Sequence, residues 1–364
     1  RDLRMSRGLG DVYKRQAFAM VGSAISGVTY VSVPGMVAAS NFGYLQMVLG
    51  FIAGQLIIAY LLVPLFYKMN LVSIYEYLEN RFGMSSYRTG AWFFFISKML
   101  GAAVRLFLVC LTLQLLVFEP FGLPFLLNVA ITVALVWLYT FQGGVKSLIW
   151  TDSLKTFCLV VSVVLCIWYI ASDLNLSFTG MVSTIADSDM SRIFFFDDVN
   201  SKQYFFKQFL AGAFTMIAMT GLDQDMMQKN LSCKSLKDAQ KNMYTYGFAF
   251  TPVNFLFLAL GVLLLTLAAQ QNIQLPTLND DILPMFCTSG ILGGSILIFF
   301  TIGIIAAAFS SADSALTALT TSFCVDILGV QREEAKRAKR TRLKVHVMIS
   351  VLFVLIILAF KAVN

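Results

Sequence analysis

Nine long apolar runs occupy most of this sequence and constrain its fold more than any other feature. They lie at residues 17–38, 45–67, 89–118, 124–142, 149–172, 206–222, 243–268, 291–325 and 345–362. Each is close to or above the roughly 20 residues with which an α-helix crosses the hydrocarbon core of a bilayer. With 58% hydrophobic and only 13% charged residues, the chain suits a bilayer better than water. The pattern predicts an all-α polytopic membrane protein with about nine transmembrane helices.

Basic residues are distributed unequally between the segments that connect these runs. If the chain starts in the cytoplasm and each run crosses once, twenty Lys and Arg lie in cytoplasmic segments and three lie outside. This is the positive-inside pattern, so the net charge of +7 reports topology, and nucleic-acid binding is not expected. We predict a multi-pass protein of the cell inner (plasma) membrane, embedded in the lipid bilayer, with a cytoplasmic chain start.

Both ends of the chain differ from what an intact membrane protein would show. Residues 1–16 are polar and basic, and the chain starts with Arg, so we interpret them as a non-native or scar segment. The chain stops at Asn364, directly after an apolar run. We therefore expect a fragment that is truncated at both ends.

Ionisable side chains inside apolar runs are costly and mark candidate functional sites. We expect the amines of Lys98, Lys155 and Lys361 to extend toward a membrane interface. Arg105 lies seven residues beyond Lys98, about 10 Å further along the helix, and is not explained in this way. The other such residues are Asp152, Asp223, Asp225 and Asp313.

The eighth run carries a polar face. Ala307, Ser310, Ser311 and Ser314 recur at i, i+3, i+4 and i+7, with Asp313 at the edge of that face. Several oxygen ligands on one face suit a hard cation such as Na⁺. The alternative is that these serines bond their own i−4 carbonyls or join neighbouring helices.

The first run is poor helix material in mid-membrane. It contains GSAISGVT at 22–29 and VPG at 33–35, and such breaks are tolerated where they line a cavity. A broken helix with free carbonyls beside a serine-faced helix is a construction that transporters use for Na⁺. The alternative is a close-packed interface of small residues.

Four segments of the sequence resemble the sodium:solute symporter family. They are SAISGVTYVSVPG at 23–35, GGVKSLIWTDSLKTF at 143–157, GLDQDMMQKNL at 221–231 with AQKNM at 239–243, and AAAFSSADSAL at 306–316. They stand in family order, and the resemblance covers nearly all of 17–364. The family carries sugars, monocarboxylates, sialic acid, proline and vitamins on a LeuT-type fold of the APC superfamily, built from two inverted repeats of five helices. The resemblance implies a first repeat at 17–172, an external loop at 173–205 and an incomplete second repeat at 206–364 that lacks its last core helix.

The resemblance also implies ligand sets. A first sodium site would use the backbone carbonyls of Gly22, Ile25 and Ala307 and the hydroxyls of Ser310 and Ser311. A second sodium site would use Asp152, Asp313 and Ser314. Solute contacts would come from Ser26, Val28, Thr29, Arg105, Asp223 and Gln224.

The function that the resemblance implies is sodium-coupled symport of a small organic solute by alternating access. The apolar Val28 weighs against a sugar, and Arg105 suits a carboxylate-bearing or zwitterionic solute through a bidentate pair. Arg105 is alternatively a structural partner of an acidic residue. The main alternative function is the membrane sensor domain of a histidine kinase. An enzyme is not expected, since His346 is the one histidine and no nucleophile motif is present.

Overall fold

The computed structural model describes residues 27–71, 73–114, 118–231, 233, 235–329 and 335–363, and these ranges contain helices and connecting turns but no strand. The helices are α1 Gly27–Ser40, α2 Tyr44–Ile57, α3 Val63–Lys68, α4 Glu76–Phe82, α5 Met84–Leu113, α6 Phe125–Asp173, α7 Phe178–Ala186, α8 Phe205–Met216, α9 Gln224–Leu231, α10 Leu236–Gln271, α11 Ile282–Thr288, α12 Gly294–Ser322 and α13 Ala335–Val363. Short π-helical segments join α2 to α3 (Ile58–Leu62) and extend α8 (Ile217–Gly221) and α12 (Phe323–Ile327).

Within the described residues, every predicted apolar run falls largely on a helix, as expected for an all-α membrane protein. Six helical stretches of the described chain are long and apolar enough to cross a membrane by length and composition: Thr29–Lys68, Met84–Leu111, Leu154–Asp173, Leu236–Gln271, Gly294–Ile327 and Arg340–Val363. Phe125–Leu138 is a shorter apolar helix. The sixth predicted run coincides with α8 and its π-helical extension.

The backbone is helical in two places where the sequence predicts interruptions. Pro34 lies inside α1, so the predicted break at 33–35 is wrong. Proline removes one backbone N–H, and membrane helices tolerate this where neighbours compensate. The fourth and fifth predicted runs belong to one helix, α6, although the sequence predicts a connection at 143–148. Both halves of α6 contact the same turn of α12. Thr140 bonds to Asp313, and Lys155 bonds to Ser310.

Glycines allow α2 and α8 to approach each other closely. A Cβ atom on Gly50 would overlap the carbonyl oxygen of Phe209, and a Cβ on Gly212 would overlap that of Met47. Small residues at a crossing let membrane helices pack backbone against backbone. This contact fixes α8, and therefore the residues that follow its end, against α2.

The buried apolar side chains form two clusters. Cluster A contains residues of α1, α2, α10 and α11, such as Tyr30, Phe51 and Phe257. Cluster B contains residues of α5 and α13, such as Leu106 and Phe353. Helices α6 and α12 contribute to both clusters. The fold therefore has two apolar bodies that share two helices.

Candidate functional site

A cavity of about 550 Å³ lies between elements of the two clusters. Its volume is within the range of small-ligand sites. Residues from α1, α2, α5, α8, α9, α10 and α12 line it. Six of the predicted sodium and solute ligands contribute to this lining, namely Thr29, Arg105, Asp223, Ser310, Ser311 and Ser314.

The serine face of α12 borders the cavity. Ser310 and Ser314 are buried, and Ser311 is half-buried. The hydroxyl of Ser311 donates to the carbonyl oxygen of Ala307 at 2.9 Å, which is the i−4 geometry of the alternative interpretation. Both oxygens keep a lone pair in this arrangement. The bond therefore holds two predicted sodium ligands side by side, and ligation stays a prediction.

Asp313 lies deeper in the protein than the serines. It is fully buried, and the hydroxyl of Thr140 on α6 donates to one carboxylate oxygen at 2.7 Å. Asp313 is not among the residues that line the cavity. The other acidic member of the predicted second sodium site, Asp152, lies on α6, but its side chain falls outside the described part of the structure.

The described residues hold only part of the predicted contribution from the first apolar run. Gly22, Ile25 and Ser26 lie outside the described ranges, as does the side chain of Val28. Thr29, the third residue of α1, lines the cavity and is half-buried. The sodium ligands of this run therefore stay predictions.

One face of α5 supplies the cationic wall of the cavity. Ser97, Lys98, Gly101 and Arg105 line it. The amine of Lys98 lies 3.0 Å from a carboxylate oxygen of Asp223 and 3.0 Å from one of Asp225. The expectation that Lys98 extends toward an interface is wrong, because two carboxylates hold its amine in the cavity.

Lys155 also departs from that expectation. It is 1% exposed, and its amine donates to the hydroxyl oxygen of Ser310 at 3.2 Å. Of the three lysines, Lys361 agrees with the prediction, since it is exposed at the end of α13 with its amine 5.7 Å from the ring centre of Phe125.

Arg105 differs from Lys98 in its contacts. In the part of the chain that the structure describes, its guanidinium has no carboxylate within 4.0 Å, and its buried Nε atom has no hydrogen-bond partner. The predicted alternative, a structural pair with an acidic residue, is therefore not formed as a direct ion pair among the described residues. The nearby carboxylates of Asp223 and Asp225 are held by Lys98 instead.

Asp223 stands where the chain interrupts the helical path between α8 and α9. Its carboxylate accepts a hydrogen bond from the backbone N–H of Met226 at 3.1 Å, which is the geometry of an N-cap. Gln224 points elsewhere: it is 2% exposed, its side-chain oxygen accepts the backbone N–H of Ile74 at 2.9 Å, and it does not line the cavity. Discontinuous helices of this kind commonly border transporter binding sites.

Four aromatic residues that the sequence analysis did not identify form one wall of the cavity. Tyr44, Phe51, Tyr246 and Phe250 line it, with neighbouring ring centres 6.0–6.3 Å apart. Phe51, Tyr246 and Phe250 lie within predicted membrane runs and Tyr44 directly precedes one, so no sequence signal separates them from lipid-facing aromatics. The pair Lys98 and Arg105 did carry a signal, because residues at i and i+7 share a helix face.

The chain is similar to known transporters over almost its whole length. Residues 6–364 match the sodium:solute symporter family. The sodium/sialic acid symporter NanT of Aliivibrio fischeri is 26% identical over 85% of this chain and 61% of its own length. The human sodium/iodide cotransporter is 27% identical over 61% of this chain and 34% of its own length. The chain thus spans less than two thirds of either relative.

A solved structure shares the fold. It is a Na⁺-coupled sialic acid symporter in a substrate-bound, outward-open state. The TM-score is 0.80 at 22% sequence identity, over 96% of this chain and 74% of that chain. This likeness confirms the predicted fold class, an all-helical LeuT-type membrane bundle.

Proposed function

Because the chain belongs to the sodium:solute symporter family, we propose that it serves in sodium-coupled import of a small organic solute that carries a carboxylate, either as an anion or as a zwitterion. The observation that carries this proposal is that the serine face of α12 and Arg105 line the same cavity. Such a cavity offers oxygen ligands for a cation and a planar donor group for a carboxylate.

Arg105 is the proposed anchor of the solute carboxylate. A guanidinium matches a carboxylate with two parallel hydrogen bonds. A buried guanidinium nitrogen without a partner is costly, so a solute that supplies the partner gains binding free energy. The sialic acid relatives fit this chemistry, since their solute is a carboxylic acid.

The zwitterionic variant of the proposal rests on the other charges in the cavity. Lys98 stands between the carboxylates of Asp223 and Asp225, which leaves this trio with one net negative charge. A cationic group on the solute is attracted to that trio while its carboxylate binds Arg105. The aromatic wall of the cavity accommodates the apolar body of the solute.

Sodium is proposed to bind at the serine face, between α12 and the first apolar run. One Na⁺ that moves down a 100 mV potential supplies about 2.3 kcal/mol. At about 1.4 kcal/mol per decade this corresponds to roughly fiftyfold accumulation of the solute. Sodium favours the outward-open packing, and its release to the cytoplasm permits the inward-open one. Residence in the cell inner membrane with a cytoplasmic chain start belongs to the same proposal, and the positive-inside pattern supports it.

The test is solute uptake into proteoliposomes with an inward sodium gradient. Sialic acid, monocarboxylates, amino acids and sugars are compared, with potassium replacing sodium as the reference. Accumulation of a carboxylate solute only with sodium supports the proposal. Solute binding without accumulation favours the sensor domain of a histidine kinase.

Arg105→Met tests the carboxylate anchor within the same assay. Loss of a charged hydrogen bond costs about 1.5–3 kcal/mol, so the half-saturating solute concentration is expected to rise by roughly 10–100-fold. The control is Arg192→Gln, because Arg192 forms an exposed ion pair with Asp197 and neither residue lines the cavity. Equal effects of both substitutions would contradict the anchor.

A further inference from the structure

Lys155 places a positive charge at the serine face. Its amine reaches from α6 to the hydroxyl of Ser310, at 3.2 Å, and the residue is 1% exposed. Ser310 lines the cavity and is one of the predicted sodium ligands. An ammonium and a sodium ion both bind to oxygen atoms, so the Lys155 amine and a sodium ion would bind the same hydroxyl oxygen of Ser310.

The two helices that carry Lys155 and Ser310 pack closely beside the lysine. Leu159, one turn further along α6, packs closely on Gly303 of α12, where a Cβ atom would lie 2.8 Å from a Leu159 methyl carbon. The two helices are therefore in close contact beside the lysine. A buried ammonium needs charge compensation, and the fully buried Asp313 lies one turn beyond Ser310 on α12.

We propose that the ammonium of Lys155 is a tethered cation that competes with sodium for Ser310. This inference rests on the proposed sodium site at the serine face. Sodium and the ammonium repel each other strongly in a site of low dielectric constant. Sodium therefore binds with full affinity only after the amine leaves Ser310, and Lys155 lowers the apparent sodium affinity of the protein.

The experiment is a sodium titration of the purified protein in detergent, followed by its thermal unfolding. Potassium replaces sodium at constant ionic strength as the reference. Lys155→Gln removes the charge and keeps a hydrogen-bond donor, whereas Lys155→Arg keeps the charge. Lys361→Gln is the matched control, since it removes an exposed charge at the end of α13. This readout requires neither transport nor knowledge of the solute.

The expected result is that Lys155→Gln lowers the sodium concentration for half-maximal stabilisation at least tenfold. Lys155→Arg and Lys361→Gln keep the value of the parent protein. An unchanged or increased value in Lys155→Gln overturns the inference. If Lys155→Gln does not fold, Lys155→Met is titrated in its place, and failure of both to fold overturns the inference in favour of a structural lysine.

The same data separate this inference from the proposed function. A parent protein and variants that respond equally to sodium and potassium would argue against the sodium site itself. A sodium-specific response that Lys155→Gln leaves unchanged would overturn only the role of Lys155.

Discussion

Two serine residues with the same local hydrogen bond provide a sharp test of the sodium site. Ser311 donates to the carbonyl of Ala307 at the cavity, and Ser350 donates to the carbonyl of His346 on α13, both at 2.9 Å. Ser311→Ala removes a proposed ligand, so the half-saturating sodium concentration for uptake is expected to rise about tenfold, the effect of about 1.4 kcal/mol. Ser350→Ala removes the same kind of hydrogen bond, but Ser350 is not a proposed sodium ligand. The sodium dependence of uptake is therefore expected to stay unchanged. Equal responses would assign Ser311 a purely structural role.

The ion pairs of Lys98 predict an asymmetry between single and double substitutions. Lys98→Met removes the ammonium partner of the Asp223 and Asp225 carboxylates in a cavity where all three side chains are at most 20% exposed. Breaking a buried ion pair costs about 3–5 kcal/mol, less where water enters. Lys98→Met is therefore expected to lower the thermal unfolding temperature, and Lys98→Met combined with Asp225→Asn is expected to recover part of the loss. Additive losses would exclude coupling between the two residues.

At the residue scale, the sequence identified most of the polar residues that line the described part of the cavity. Arg105 was found because an ionisable group in an apolar run is costly, and Ser310, Ser311 and Ser314 were found because they recur on one helix face. The same reasoning misjudged Lys98 and Lys155. Whether a lysine extends to an interface depends on acceptors from other helices, and here those acceptors are Asp223, Asp225 and Ser310, which are distant in sequence.

At the scale of helices, the contact between α2 and α8 predicts a position-dependent effect of glycine substitution. A Cβ atom on Gly50 would overlap the backbone of α8, whereas a Cβ on Gly294, at the start of α12, has no atom within 4 Å. Gly50→Ala is expected to destabilise the protein by about 1–3 kcal/mol, as overpacking does. Gly294→Ala is the matched control, with little expected change. Thermal unfolding in detergent measures both, and equal stabilities would show that α2 and α8 can separate without loss.

Helix positions were largely predictable from the sequence, but helix continuity was not. Long apolar runs fix the helices because backbone groups in lipid must bond within their own segment. The same principle explains both misjudged interruptions, since proline and glycine in a membrane do not end a helix as they do in water. Pro34 lies within α1 and residues 143–148 lie within α6.

At the scale of the whole molecule, sodium is expected to affect both apolar clusters. Three proposed ligands of the first sodium site, Ala307, Ser310 and Ser311, lie on α12, which packs in cluster A and cluster B. Sodium, compared with potassium, should therefore slow amide hydrogen exchange in α5 and in α10, since each belongs to a different cluster. Helix α7, which has no buried residue, is the internal reference. Slower exchange in only one of these helices would indicate that sodium stabilises a single cluster, which contradicts the prediction.

The division of α12 between the clusters has a mechanical consequence. Its apolar residues up to Ala307 pack in cluster A, those from Ala312 onward pack in cluster B, and Ser310 and Ser311 fall between them. In the proposed transport cycle, those two serines therefore stand at the pivot between the two bodies. Near a pivot small displacements have their largest effect at the far ends, so in that cycle the gain or loss of one ion there would open the cavity toward one side of the membrane while closing it toward the other.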